Sequence, residues 1–149
     1  MKSIFDPGTA EEVCSRIDRL TPQSQRQWGK MDVAQMLAHL NAHLEMAVGD
    51  QKPKRMLIGR LIGRFFRNHL TDDNPMKRNA PTAPSLKVAD AREFEREREK
   101  LKELVRRFQA GGAAKCTTHP NPFFGALTPE EWAKGVYKHA DHHLQQFGV

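Results

Sequence analysis

A chain of 149 residues is long enough to bury its own core as one domain, with no disulfide or structural metal to staple it. Its 38% hydrophobic content holds no apolar run that could span a bilayer, and its two cysteines, Cys14 and Cys116, exclude a disulfide framework and any CxxC site. The net charge of +6 raises nucleic acid and anionic membranes as partners, yet the excess is local. Lys52, Lys54, Arg55, Arg60, Arg64 and Arg67 fall in a stretch with no acidic residue, whereas Arg92 to Arg107 is mixed in charge. With no charged-then-apolar start at Met1-Lys-Ser-Ile-Phe-Asp, a cytoplasmic protein is expected, with neither nucleic acid nor membrane as partner.

Four segments carry helical periodicity and none alternates as a strand does. The first runs from about Ala10 to Leu20, with Thr9 and Glu12 as a capping box and Val13, Ile17 and Leu20 as its stripe. The second spans about Val33 to Val48, with Asp32 and Gln35 at the capping positions and Gly49 beyond its end. An insert follows, Asp50 to Ala89. A short amphipathic helix is expected at Met56 to Phe66, its apolar side packed on the body and Arg60, Arg64 and Arg67 in solvent. Gly59 and Gly63 form GxxxG there, in a stretch too short for a membrane helix. Pro75, Pro81 and Pro84 make Asn74 to Pro84 an extended loop.

The third long helix spans about Ala91 to Ala110, capped by Asp90 with Glu93 and stopped by Gly111-Gly112. The fourth opens with Thr128 as N-cap, Pro129 at N1 and Glu131 as the capping-box acid. The pattern predicts an all-α domain over residues 1–149: an antiparallel four-helix bundle with a long crossover insert between helices two and three.

The histidines carry the chemistry. On the last helix Trp132, Val136, His139, His143 and Phe147 fall within about 80° of one another on the wheel, so two imidazoles point at the core. Buried imidazoles are costly unless their nitrogens find partners, and a pair at i and i+4 can converge on one metal ion. His142 lies to one side of that pair and Asp141 opposite. On the second helix His39 and His43 share one flank of the stripe, His43 the nearer. Two ligands from the last helix and one from the second would form a three-histidine site between packed helices. Neutral imidazole suits zinc, nickel, copper or iron.

The stretch WGKMDVAQMLAHLNAHL, Trp28 to Leu44, resembles the second helix of the DinB-like (YfiT-like) metal-binding four-helix bundles, and HADHHLQQF, His139 to Phe147, their closing HxxxHxxQ pattern. HPNPFFGALTPEEW, His119 to Trp132, and the loop Asn79 to Pro84 look like one branch known only as a domain of unknown function. The resemblance implies His39, His139 and His143 as metal ligands, where the wheel leaves His43 open beside His39. His142 is outside the pattern, and Asn121 departs from it, which leaves His119 without an implied role. Characterised relatives include metal-dependent thiol transferases and an isomerase. The resemblance implies a metal-dependent S-transferase or hydrolase acting on a small molecule, with zinc, or else nickel or iron, a low-molecular-weight thiol, and room for a homodimer. The contrasting expectation is a non-catalytic stress-response or binding module whose metal is structural, closed by His43 or His142, or absent.

Overall fold

The computed structural model describes residues 1–149 and contains five α-helices and no strand. Helix α1 spans Pro7–Asp18, α2 Val33–Ala47, α3 Leu57–Ile62, α4 Phe94–Gly111 and α5 Pro129–Gln146. The segment Gly63–Leu70 continues α3 as 3-10 turns, and Pro84–Leu86 forms a single such turn.

Two helix starts match their capping signals. Asp32 accepts from the Gln35 amide at 2.8 Å while the Gln35 side chain accepts from the Asp32 amide at 3.0 Å. Thr128 and Glu131 do the same for α5 behind Pro129. The other two differ from expectation by three residues. α1 begins at Pro7, whose fixed φ is already helical, so Asp6 is the cap and Thr9 lies inside, its hydroxyl donating to Asp6 at 2.8 Å. α4 begins at Phe94 because the Glu93 carboxylate accepts from the Glu95 and Arg96 amides. Asp90 instead pairs with Arg92, and its carbonyl accepts from Gln35.

α2 packs on α4 and α5, and α1 packs on the same two helices from the other side. Between them lies a single apolar core that includes Val13, Ile17, Met36, Leu37, Leu101, Phe108, Trp132 and Leu144. At about 25 cal/mol per Å² this burial is the main drive to assemble. Polar side chains fix how the helices meet. Buried Asn41 of α2 donates to the Glu97 carboxylate of α4 at 2.8 Å, and Arg16 of α1 donates to Asp141 of α5 at 2.7 Å. No helix is long and apolar enough to cross a membrane.

The insert departs from expectation. α3 meets the body through Gly59 and Gly63, not through its large apolar residues. A Cβ at Gly59 would lie 2.6 Å, and at Gly63 1.9 Å, from the Phe123 carbonyl oxygen, so only glycine permits this approach of backbone to backbone. The Met56 amide donates to the Pro122 carbonyl at 2.9 Å, closing the same joint. With the glycine face spent on the body, Leu57, Leu61 and Phe65 stand 78%, 73% and 65% exposed. Further along, Lys138 of α5, itself buried, donates to the His69 carbonyl at 2.6 Å and to the Asp72 carboxylate at 2.6 Å, while Arg67 pairs with Glu131.

Candidate metal centre

The capping boxes of α2 and α5 fix where two facing helices start, and across their contact lie His39, His139 and His143. Each offers a ring nitrogen, and the three donor atoms all lie within 4.8 Å of one another. Imidazole donors at about 2.0–2.1 Å from a tetrahedral zinc sit about 3.3 Å apart. The observed spread, from 2.8 Å between the Nε2 atoms of His39 and His139 up to that limit, brackets this spacing, so small ring rotations suffice.

The far side of each ring fixes which nitrogen is free. His39 Nδ1 lies 2.8 Å from the Leu86 carbonyl, which can only accept, so Nδ1 carries the proton and Nε2 a bare lone pair. His143 Nδ1 lies 2.7 Å from Gln146 Oε1. Gln146 is oriented by its own amide, which donates to the Trp28 carbonyl, so His143 likewise presents a bare Nε2. His139 touches histidines on both sides, His39 at Nε2 and His43 at Nδ1, the latter at 3.1 Å. Two nitrogens at 2.8 Å need something positive between them. Without an ion, His139 Nε2–H donates to His39 and His43 donates to His139 Nδ1. When Nε2 acts as a ligand, the direction reverses and His139 Nδ1–H donates to His43.

Burial keeps these rings neutral. Desolvation pushes His143 down to about 3 and His43 down to about 4, with the neighbouring His39 adding to both. His139 is held well below its ordinary value by desolvation first and then by His43, and His39 is lowered by desolvation against the opposing pull of the Leu86 carbonyl. Metal binding needs neutral imidazole, so the three rings could serve as ligands at neutral pH with no net proton loss. No carboxylate is among the three donors, so a bound dication would keep its full charge.

The remaining candidates lie around this trio. His43 rests against Trp132, ring centroids 5.9 Å apart, and the buried indole N–H of Trp132 has no partner. His142 lies 5.0 Å from the His143 ring and 5.6 Å from Trp28, over which the Arg78 guanidinium sits at 4.0 Å. His119 is occupied elsewhere, its Nε2 bonding the Pro53 carbonyl at 3.0 Å, and Asn121 accepts from the Phe123 and Phe124 amides to shape the loop that receives α3. Leu86 had no signal in the sequence, because a main-chain carbonyl leaves none. Gln146 had one, as the last residue of HxxxHxxQ, and its part as the orienting acceptor of His143 appears only in three dimensions.

No curated protein and no solved structure matches the chain. The family described as a protein of unknown function, DUF1569, matches residues 5–148. Nearly the whole chain, both histidine helices included, lies inside that match, and the protein belongs to the DUF1569 family.

Proposed function

We propose that α1, α2, α4 and α5 form a four-helix bundle of the DinB-like kind with residues 48–93 as its crossover, and that His39, His139 and His143 hold one divalent cation. Zinc suits three neutral imidazoles first, nickel and iron next. The observation that carries the reading is the convergence from two helices of three neutral imidazoles, each already hydrogen-bonded through Nδ1. Such a cation supplies Lewis acidity at a fourth position, making a thiol or a water reactive near neutral pH. The activity is then that of a metal-dependent S-transferase using a low-molecular-weight thiol, or of a hydrolase, on a small-molecule substrate.

The chain's own part is to hold three donors in place. Leu86 and Gln146 fix two rings in the ligating tautomer, and burial disfavours a second proton on all three. Neither cysteine is suited to be the nucleophile, since burial pushes both thiols up, so a reacting thiol would come from outside. A purely structural centre would need a fourth protein donor. His43 faces the Nδ1 side of His139, away from the shared point.

The test is elemental mass spectrometry of protein purified without a histidine tag, beside His143→Ala. The expected result is about one zinc, nickel or iron per chain, lost in the variant with helical circular dichroism kept. No metal in either protein after incubation with divalent ions would overturn the reading. Cobalt substitution then separates an open site, whose spectrum shifts with added thiol, from a closed one that ignores it.

A further inference from the structure

Every large hydrophobic residue exposed on this protein lies in one short segment: Leu57, Ile58, Leu61, Ile62, Phe65 and Phe66. An isolated exposed leucine needs no explanation, but a contiguous patch does. The glycine joint makes the exposure a property of the fold, since α3 cannot roll its apolar side inward without losing the approach of Gly59 and Gly63 to Phe123. Beside the patch stand Lys52, Lys54, Arg60 and Arg64, all exposed and none in an ion pair, with Arg64 resting on the Phe65 ring at 4.7 Å. The two acids that bracket the segment are engaged, Asp50 with Arg107 and Asp72 with Lys138. The patch is therefore apolar on one side and uncompensated positive charge on the next.

We propose that this segment is a docking surface for an anionic lipid bilayer, lying in the interface with Leu57, Leu61 and Phe65 inserted and Arg60 and Arg64 at the headgroups. Interfacial helices combine an apolar face with a basic flank, and attraction to acidic lipid adds to burial. A second copy of the chain is the rival occupant, and charge decides against it. Two-fold pairing through this face would bring Arg60 and Arg64 of each copy close together, and the acids that bracket the segment, Asp50 and Asp72, are already paired. A nucleic acid would account for the cations and leave the leucines and phenylalanines unexplained.

The test is co-sedimentation of the full chain with phosphatidylcholine vesicles, with and without phosphatidylglycerol, at low and high salt. Binding to the anionic vesicles, weakened by salt and absent from the neutral ones, is the expected result. The double variant Leu61→Ser/Phe65→Ser should lower the partition coefficient at least about tenfold, and Arg60→Ser/Arg64→Ser about tenfold with a flatter salt response. Both pairs are exposed, so thermal melting should stay at the wild-type midpoint and keep loss of binding distinct from loss of fold. Equal binding to neutral vesicles, no binding to either, or binding unchanged in both variants would overturn the proposal. So would a dimer in analytical ultracentrifugation that Leu61→Ser/Phe65→Ser dissociates, or duplex DNA binding indifferent to those two residues.

Discussion

Helix α5 and the α3 segment both break the rule that apolar residues go inside, in opposite senses. α5 buries His143 and Lys138, the kind of side chain that ordinarily stays wet, and turns them toward acceptors held in place by other parts of the chain. α3 leaves leucine and phenylalanine in water and buries glycine. For His143 and Lys138 the cost of dehydration is offset by hydrogen bonds, so their burial is stable as it stands. In α3 nothing within the chain offsets the exposed apolar surface. Its seat is steric, a backbone-to-backbone fit. The buried ring of His143 and the buried ammonium of Lys138 find acceptors within the chain, whereas Leu57, Leu61 and Phe65 stay in water.

The largest test of that contrast is pH, applied to metal-free protein. In the folded state His43 and His143 take up protons only near pH 4 and 3, while the unfolded chain takes them up near the ordinary value of about 6.5. The unfolded state therefore binds more protons as pH falls through that window. Stability is present above about 6.5 and is lost downward, by about 1.4 kcal/mol per pH unit for each histidine that stays neutral. Urea midpoints across this range should fall steeply, and the fall should flatten in His43→Gln. A flat profile would show that the rings are charged and wet in the native state.

Next in size is Gly63→Ala, which should destabilise by about 2 kcal/mol or more because the new Cβ meets backbone that cannot swing aside. In an ordinary helix the same change stabilises by about 0.5–1 kcal/mol, so the sign alone settles whether the glycine face is the seat. Lys138→Met should have a smaller effect, confined to the end of the insert. It strands the His69 carbonyl and Asp72, so limited proteolysis should cut faster within 63–72 while the global melting midpoint moves little. Smallest is Leu61→Ser, expected within about 0.5 kcal/mol of wild type by chemical denaturation. A loss of about 2 kcal/mol or more would mean that the leucine packs against the protein after all.

What the sequence made legible was local. The capping boxes of α2 and α5 and the inward direction of His139 and His143 depend on residues three or four apart, and periodicity reads those. The choice between His39 and His43 was not legible from the wheel. Both lie on one flank of α2, and which reaches the Nε2 side of His139 depends on how far α2 slides along α5, a tertiary quantity. α1 starts three residues earlier than its pattern predicts because Asp6-Pro7 outranks Thr9, and α4 three residues later because Glu93 outranks Asp90. The insert differs from its pattern for a deeper reason. Its sequence offers three faces, apolar, glycine and basic, and amphipathicity alone does not say which one meets the body.

The hydrogen bond from His39 to the Leu86 carbonyl means that one imidazole is held by the far end of the long crossover rather than by its own helix. If the histidine trio holds a cation as proposed, its occupancy and the seating of the Pro84–Leu86 turn are two linked equilibria. Whatever factor a cation contributes to keeping that turn seated is, by reciprocity, the factor by which lifting the turn weakens the cation's hold. With a cation held as proposed, a tug on the crossover would reach the ion through the Leu86–His39 bond alone.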